Sequence, residues 1–531
     1  MGFTGFRGFR GFRGFSGFSR FLNSMLGIAW IASGGVAAAS TCEDLTRLSL
    51  PAATVTSAQP VAAGAFVPPG GAGRGGNAAL DQYKKLPAFC RASLTLRPSS
   101  DSDIKVDVWL PASGWNGRFE AVGQGGMAGS IPYALLAQAL SEGYATAGTD
   151  TGHAGNDANF MPEHPEKLID FAYRAVHEMA VNGKAVVNAY YERAAQRSYF
   201  NGCSGGGRHA ITSAQRYPAD FDGIVAGAAS WNSQRMDAAR IAVNGLVNRS
   251  STSGIPASKY PFIHEAVLQA CDGLDGVKDG VLENPTTCTF EYASLACKGT
   301  DTSSCLTPEQ VLSAKALTSP LRHPDTGAVL FEGHLWPGSE LEWDTLGGPE
   351  PLDNALIRIR NITFKDPKWD PRQFNAATDV EMADRNDNGL LASRNFNLGP
   401  FFQRGGKLLM YHGWSDPQVT PQNSITYYTN VVKTVGKGAE SSIALFMLPG
   451  VLHCDGGPGP DTFDKMGAIS QWVERGRKPA RIVASHVKDG KVDRTRPLCP
   501  LGQVARYKGT GGTNDEANFA CVAERVDVTS R

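Results

Sequence analysis

The chain has 531 residues, of which 42% are hydrophobic, so it is long enough to bury a large core and to form two domains or one domain with a large insertion. Its 51 lysines and arginines balance 51 aspartates and glutamates. No summed field attracts polyanions, which removes the usual electrostatic basis of nucleic-acid binding and favours a small, neutral or weakly charged ligand.

The N-terminus has the order of a secretory signal. A Gly-Phe-Arg repeat is followed by an apolar run over residues 25–36 and by three alanines at 37–39. This order predicts a signal peptide over residues 1–39, with cleavage near Ala39, and a secreted or periplasmic protein. A membrane anchor is the alternative, but the apolar run is short and two glycines interrupt it. No later segment is long enough to span a bilayer, so we expect no membrane span in the mature chain.

The chain contains ten cysteines, an even number. In an exported protein this favours disulfides over metal ligands or reactive thiols. No C-x-x-C pair is present, which argues against zinc and thioredoxin-like sites. The spacing alone leaves the pairing open.

The mature chain begins with a segment that we predict to be irregular. Residues 54–80 are rich in alanine, proline and glycine, which indicates a surface arm. Residues 104–110 then alternate with a period of two, which predicts a half-buried strand.

Further strands and helices alternate through the rest of the chain. Six more apolar runs have the length of strands: 119–122, 144–148, 199–201, 223–226, 408–412 and 443–447. The clearest helix carries apolar residues at 168, 171, 175 and 179. This alternation favours an α/β fold with a mainly parallel sheet.

A candidate nucleophile lies in the sequence YFNGCSGGGRHA at 199–210. Residues 202–206 form a G-x-S-x-G motif centred on Ser204, between a predicted strand and a predicted helix. Glycines flank the serine because the sharp turn leaves no room for side chains and needs unusual backbone angles. The N–H groups that begin the helix point at the oxyanion formed in acyl transfer. A glycine-rich turn can match the motif by chance, so its partners decide the interpretation.

Residues 231–395 interrupt the alternating pattern. They contain four cysteines, many Asp-Gly and Pro turns and several tryptophans. We interpret the segment as an insertion that divides a core into residues 40–230 and 396–531 and forms a lid over the active site. A separate binding module is the alternative, but modules are more often appended at a terminus.

An acidic loop lies within this lid. The sequence CDGLDGVKDGVLE places Asp272, Asp275 and Asp279 between glycines. Carboxylates packed this closely repel one another unless a cation lies between them, and calcium accepts six to eight oxygen ligands. The spacing is not that of an EF-hand. From the residues alone, a calcium site and a plain acidic turn both remain open.

A carboxylate and a histidine follow Ser204 in the chain order expected of a serine hydrolase. Asp416, in YHGWSDPQV, follows the strand that ends at 412, and His453, in LPGVLHCDGG, follows the strand that ends near 447. Loops at the carboxyl ends of strands carry the chemistry of such folds. We therefore predict an α/β-hydrolase in which Ser204, Asp416 and His453 are the catalytic triad. His412 and His209 are interpreted as packing or supporting groups.

Two cysteines adjoin the triad. Cys203 precedes the serine and Cys454 follows the histidine. A bond between them would pin the nucleophile turn to the histidine turn and hold both side chains within hydrogen-bonding reach. Closing so long a loop contributes roughly 4 to 5 kcal/mol in the chain-entropy model.

The motif Cys203-Ser204, Asp416 and His453-Cys454 resembles the mark of the tannase and feruloyl esterase family, which is Cys-Ser, then Asp, then His-Cys. The resemblance covers nearly the whole mature chain, including LPAFCRASL, VWLPASGWNGRF and GQGGMAG. The family includes feruloyl esterases, tannases and mono(2-hydroxyethyl) terephthalate hydrolase. The resemblance implies an α/β-hydrolase core with a large inserted lid.

The resemblance also implies a metal and a set of disulfides. Structural Ca²⁺ is expected in the lid, where it would order the loop without taking part in chemistry. Its ligands would be Asp272, Asp275, Asp279 and the main-chain carbonyls of Val277 and Val281. The implied disulfides are Cys42 with Cys90, Cys203 with Cys454, Cys271 with Cys288, Cys297 with Cys305, and Cys499 with Cys521.

The oxyanion hole is expected to use the N–H of Gly205, the residue after the nucleophile. A second N–H is expected from the loop at 123–126, at Gly125 or Gly126. Members of the family often carry a larger residue at the Gly205 position. We expect this departure to loosen the hole or the acyl pocket.

These features predict a secreted serine carboxylesterase that hydrolyses esters of aromatic, hydroxycinnamic acids, as feruloyl esterases do. A tannase acting on gallate esters and a terephthalate-monoester hydrolase are the alternatives, because the triad is common to all three. A non-catalytic phenolic- or carbohydrate-binding protein is the alternative of another class. Lid residues that could hold an aromatic, carboxylated acid are Trp336, Arg358, Arg360 and Trp369. Aromatic residues in such a segment more often form its own small core, so none of them is singled out.

Overall fold

Strands and helices alternate along the computed structural model, which describes residues 41–526 except 70, 72–75, 128, 156, 157 and 159. The predicted signal peptide therefore lies outside the described residues. The strands are Ala53–Val61 (β1), Phe89–Leu96 (β2), Ile104–Pro111 (β3), Arg118–Gly123 (β4), Ala145–Thr149 (β5), Arg197–Cys203 (β6), Gly223–Gly227 (β7), Leu321–Arg322 (β8), Val329–Phe331 (β9), Lys407–Gly413 (β10), Ile443–Leu448 (β11), Thr462–Phe463 (β12), Ile482–Lys488 (β13), Lys491–Leu498 (β14), Gln503–Tyr507 (β15) and Phe519–Ala523 (β16).

The α-helices of the described residues are Gly76–Tyr83 (α1), Tyr133–Ser141 (α2), Pro165–Ile169 (α3), Ala175–Tyr191 (α4), Gly205–Arg216 (α5), Ser233–Val247 (α6), Tyr260–Cys271 (α7), Pro308–Thr318 (α8), Asp344–Gly347 (α9), Asp353–Arg358 (α10), Ala376–Asp387 (α11), Gly399–Gln403 (α12), Pro421–Val435 (α13) and Lys465–Arg475 (α14). A π-helical turn at Asp170–Arg174 joins α3 to α4, so the predicted helix around 168–179 is present. Among the described residues, no helix combines the length and the apolar character needed to cross a bilayer.

One large sheet positions the predicted triad. Its nine strands lie in the order β1-β2-β3-β5-β4-β6-β7-β10-β11. The six strands from β5 to β11 in this order are parallel neighbours, and β1 to β3 are added antiparallel. The carboxyl ends of β6, β10 and β11 therefore meet at one edge, where Ser204, Asp416 and His453 follow them.

The prediction of a surface arm over residues 54–80 is wrong for its first part. Strand β1 pairs with β2 along its length, and Val55 and Ala58 are buried. Its composition misled because an edge strand tolerates residues that a central strand excludes, including Pro60, which cannot donate to a ladder. Hydrogen bonding to β2 therefore stabilises a strand at residues 53–61 that the local sequence alone does not predict.

Strand β3 is present but is not half-buried as predicted. Both of its faces are covered, and even Asp107 is 1% exposed. Its carboxylate accepts hydrogen bonds from Arg91 Nε and Ser93 Oγ, each at 2.7 Å. A buried carboxylate is stable when it is paired in this way, so alternation with a charged residue did not indicate a solvent-facing side.

Helices cover both faces of the sheet. On one face α4, α5 and α13 contribute Met179, Ile211 and Ile425 to the larger core cluster. On the other face α2 and α14 contribute Leu136 and Trp472 to a second cluster. This three-layer arrangement fixes the strand ends relative to one another.

Residues 231–395 lie between β7 and β10 and contain α6 to α11, β8 and β9. They have their own buried cluster, which includes Ile263, Leu306 and Trp343. They belong to the same compact unit as the core. Two hydrogen bonds tie them to the loop after β10: Ser415 Oγ donates to Gly338 O at 3.2 Å, and Thr420 Oγ1 donates to Gly333 O at 3.0 Å.

Candidate active site

Ser204 occupies the sharp turn between β6 and α5. Its backbone has φ 61° and ψ −121°, a conformation that L-residues adopt only under strain. The turn needs glycines at both sides: a Cβ on Gly202 would lie 2.7 Å from the Gly206 backbone, and one on Gly206 would lie 2.5 Å from Gly123 O. The motif therefore folds into the elbow that its glycines predicted.

The three predicted triad residues form one hydrogen-bonded chain. Ser204 Oγ lies 2.8 Å from His453 Nε2, and His453 Nδ1 lies 2.7 Å from Asp416 Oδ2. The serine and histidine are partly exposed, whereas Asp416 is buried. In this arrangement the imidazole can accept the serine proton while the carboxylate fixes its tautomer.

Asp416 is held as a carboxylate by its surroundings. Its Oδ1 accepts the backbone N–H groups of Gln418 at 2.8 Å and Val419 at 2.9 Å. Burial raises the pKa of this carboxyl, but His453 and a hydrogen bond from His412 outweigh burial and hold the pKa well below its usual range. Asp416 therefore remains charged across the neutral range.

The Cys203–Cys454 disulfide joins the two turns that carry Ser204 and His453, with 6.0 Å between its Cα atoms. The other four disulfides are those that the family resemblance implied: Cys42–Cys90, Cys271–Cys288, Cys297–Cys305 and Cys499–Cys521. Cys454 has a φ of 73°, so the bond holds the residue after His453 in a left-handed conformation.

The glycine loop predicted for the oxyanion hole lies directly beside the elbow. A Cβ on Gly125 would be 3.2 Å from Ser204 Cβ, and a Cβ on Gly205 would be 3.1 Å from the backbone nitrogen of Gly126. Gly126 has a φ of 66°, which favours glycine. The two segments that carry the predicted N–H donors are therefore in direct contact beside Ser204. The expected loosening by Gly205 stays a prediction.

A narrow pocket opens beside Ser204, between the core and the segment at 231–395. Three guanidinium groups line it, from Arg208, Arg240 and Arg358. Asp237 pairs with Arg240 Nη1 at 2.8 Å and with Arg358 Nε at 2.6 Å. Arg208 instead donates to the carbonyl of Ala172 at 2.6 Å. The pocket wall therefore carries more positive than negative charge.

Burial also lowers the pKa of one of these guanidinium groups, that of Arg208. Desolvation, together with the neighbouring Arg358, lowers the pKa of Arg208 to about 9, which still leaves it protonated at neutral pH. Sequence reasoning named Arg358 but missed Arg208 and Arg240. Arg208 lies four residues after the nucleophile, and that position on the elbow helix was the signal available for it.

The other lid candidates do not line this pocket. Arg360 donates from Nε to Trp369 O, and Trp369 stacks on Phe364 with ring centroids 4.1 Å apart. Trp336 packs edge-on against Trp414. His209, on the elbow helix, contacts Phe171 O through Nε2. These side chains contribute to packing around the site.

The acidic loop is compact and only partly neutralised. Asp272 accepts the N–H of Gly280, and Asp275 accepts that of Val277 at 2.8 Å. Asp279 pairs with Arg496. Burial and the nearby carboxylates of Asp279 and Asp272, opposed by the Val277 N–H, raise the pKa of Asp275 to about 6. Burial beside two other carboxylates therefore disfavours the charged form of Asp275.

A different group of residues, Cys297, Asp301 and Cys305, has the spacing of a metal site. Ligand atoms of Cys297, Asp301 and Cys305 lie within 4.8 Å of one another, whereas the three loop aspartates do not come together that closely in the described structure. The two cysteines form a disulfide, so their sulfurs are not thiolates. The group therefore offers one strong ligand, the Asp301 carboxylate.

Comparison with known proteins agrees with this geometry. The family model for tannase and feruloyl esterase matches residues 90–522. An uncharacterised esterase of Xanthomonas campestris is 37% identical, with 91% of this chain and 92% of that protein covered. The crystal structure of feruloyl esterase B from Aspergillus oryzae is 30% identical, with a TM-score of 0.82 and coverage of 91% of this chain and 99% of that one.

A more distant structure supports the fold alone. Tannin acyl hydrolase from Aspergillus niger is 20% identical, with a TM-score of 0.73 over 90% of this chain and 93% of that one. The match of the family model, the full-length relatives and the α/β-hydrolase architecture agree. The chain belongs to the tannase and feruloyl esterase family of carboxylic ester hydrolases.

Proposed function

We propose that this protein is an exported serine esterase that hydrolyses esters of hydroxycinnamic acids, with Ser204 as nucleophile, His453 as base and Asp416 as the orienting carboxylate. The observation that carries the proposal is the hydrogen-bonded chain from Ser204 Oγ through His453 to Asp416. The pattern of residues 1–39 and the five disulfides support export. Cell fractionation with N-terminal sequencing tests that part, since recovery only in the cytoplasm with Met1 intact would contradict it.

The reaction proceeds in two half-reactions. Ser204 Oγ attacks the ester carbonyl while His453 Nε2 takes its proton, and backbone N–H groups of Gly205 and of Gly125 or Gly126 stabilise the oxyanion. His453 then gives the proton to the departing alcohol, which leaves an acyl-serine. Water, deprotonated by His453, attacks this acyl group and the acid is released as Ser204 regains its proton.

The charge of the pocket favours one alternative substrate, a terephthalate monoester. Its excess guanidinium charge suits an acid half that carries a second anionic group, as in a terephthalate monoester. Its free space is about 40 Å³, well below the roughly 300 Å³ of a small ligand pocket. An aromatic acid therefore requires lid side chains such as Arg358 to move.

A substrate series separates these candidates. We expect kcat/KM to be highest for methyl ferulate among methyl ferulate, methyl gallate and mono(2-hydroxyethyl) terephthalate. Arg358→Gln should lower kcat/KM for the terephthalate monoester by about tenfold or more, because it removes a charged hydrogen-bond donor. The same change should affect methyl ferulate by less than about threefold. A wild-type preference for the terephthalate monoester would replace ferulate as the substrate class.

The acidic loop fits a structural Ca²⁺. Each of Asp272, Asp275 and Asp279 accepts a backbone N–H within the loop through a carboxylate oxygen, which keeps the three side chains in one short, compact loop. Burial and the neighbouring carboxylates of Asp279 and Asp272 raise the pKa of Asp275, as expected where acidic groups are close together and partly removed from water. We propose that these aspartates, with the carbonyls of Val277 and Val281, bind Ca²⁺ and order the lid.

Calcium is expected to stabilise the protein without being needed for each turnover. Chelation with EGTA should lower Tm by several degrees and 1 mM CaCl₂ should restore it, because a ligand at 100 times its Kd adds about 2.7 kcal/mol. Asp275→Asn should abolish the shift, measured by differential scanning calorimetry. Asp301→Asn is the matched control in the disulfide group. Loss of the shift only in Asp301→Asn would assign the metal to the other group.

A further inference from the structure

A second histidine contacts the carboxylate of Asp416. His412, the sixth residue of β10, is fully buried, and its Nε2 lies 3.1 Å from Asp416 Oδ2. This is the same oxygen that accepts from His453 Nδ1 at 2.7 Å. Because His412 does not line the pocket, it has no access to a substrate. Any effect on the reaction must therefore pass through its neighbours, of which Asp416 belongs to the proposed triad and Val419 lines the pocket.

The partners of His412 define its tautomer. Nε2 also lies 2.9 Å from Val419 O, and both a carboxylate and a carbonyl can only accept. Nε2 must therefore carry a hydrogen, shared between Asp416 and Val419. Nδ1 lies 2.7 Å from Ser424 Oγ, whose hydroxyl can donate to it. A neutral imidazole with its proton on Nε2 satisfies all three partners.

These contacts hold the loop that carries Asp416 in one shape. The carboxylate accepts from Gln418 and Val419 through Oδ1, and His412 bridges its Oδ2 to the Val419 carbonyl. Ser424, on α13, anchors the far side of the ring. The His412 imidazole therefore connects the end of β10, the loop that carries Asp416 and helix α13 through hydrogen bonds.

We propose that His412 is a positioning residue for the triad: its Nε2–H fixes the orientation of Asp416 and shares the charge of the oxygen that faces His453. The role rests on the proposed triad. Without the His412 N–H, Asp416 Oδ2 would keep only its contact with His453. The negative charge on that oxygen would then interact more strongly with His453 and stabilise its protonated form. The charged groups that face Asp416 are His453 and, from α6, Arg240, whose own partner is Asp237.

The test is the pH dependence of kcat/KM on methyl ferulate for wild type, His412→Phe and His412→Gln. His412→Phe should lower kcat by about ten- to hundredfold, since it removes a hydrogen bond to a charged group, and leave KM within about twofold. The acidic limb of the profile, which reports protonation of the essential base, should move up by about 0.5 to 1 pH unit. His412→Gln retains an N–H donor and should return the limb toward the wild-type position.

Two further variants keep the test decisive. Ser424→Ala removes the partner of Nδ1 and should shift the limb in the same direction by a smaller amount, which covers the case in which His412→Phe does not fold. His177→Phe is the matched control, because His177 bonds to Asp220 at 2.8 Å away from the triad. His177→Phe should leave the acidic limb of the kcat/KM profile unchanged.

The outcomes separate the inference from the function on which it rests. A folded His412→Phe or Ser424→Ala with an unmoved acidic limb would overturn the positioning role, even if kcat falls. A wild-type protein whose hydrolysis does not depend on Ser204 would overturn the triad and the positioning role together. A shift in His412→Phe that is absent from His412→Gln and His177→Phe supports the inference.

Discussion

Ser204→Ala is expected to lower kcat/KM on methyl ferulate by about 10⁵- to 10⁶-fold, the scale on which loss of the nucleophile acts in a serine hydrolase. The serine hydroxyl is the group that His453 Nε2 contacts at 2.8 Å, and a methyl group offers neither a nucleophile nor a proton. Because alanine is smaller and apolar, the fold should persist. Single-turnover kinetics on the purified protein measure the loss.

Ser230→Ala is the matched control for this change. Ser230 lines the same pocket, but its Oγ contacts Met236 Sδ at 3.8 Å and not the triad. It should retain kcat/KM within about threefold. A fluorophosphonate probe should label the wild type and Ser230→Ala but not Ser204→Ala. Hydrolysis by both wild type and Ser204→Ala at no more than the uncatalysed background rate would favour the non-catalytic binding protein over the esterase.

The arrangement of Ser204, His453 and Asp416 could be predicted because it follows from chain order. Parallel strands place their carboxyl ends on one edge, so a serine, an aspartate and a histidine that each follow such a strand must lie near one another. The glycines around Ser204 added a local requirement, since side chains at 202 or 206 would collide with backbone. Both signals are present in short stretches of sequence.

The pocket charges could not be predicted in the same way. Arg240 and Asp237 lie on α6, whereas Arg358 comes from α10, more than a hundred residues later. Their approach depends on how α10 packs against α6 within the segment at 231–395, which no local pattern encodes. His412 was interpreted from the sequence as a packing or supporting group, but its place four residues before Asp416 did not show which atoms meet.

Removal of the Cys203–Cys454 disulfide is expected to damage both stability and activity. The bond closes a separation of 251 residues, for which the chain-entropy model gives about 5 kcal/mol. In addition, the cysteines flank Ser204 and His453 directly, so their release lets the 2.8 Å contact between the two side chains lengthen. The double variant Cys203→Ala/Cys454→Ala should lose about tenfold or more in kcat and several degrees in Tm.

A variant that lacks a different disulfide separates the effect on stability from the effect on activity. Cys297→Ala/Cys305→Ala removes a bond over a separation of 8 residues in the segment at 231–395, worth about 2 to 3 kcal/mol in the same model. It should lower Tm less and leave kcat unchanged below the new Tm. Reduction with dithiothreitol, verified by mass spectrometry, should abolish activity in the wild type. If the Cys203→Ala/Cys454→Ala protein keeps full kcat while its Tm falls, the bond acts on the unfolded chain alone, and the turn geometry around His453 suffices to hold the triad.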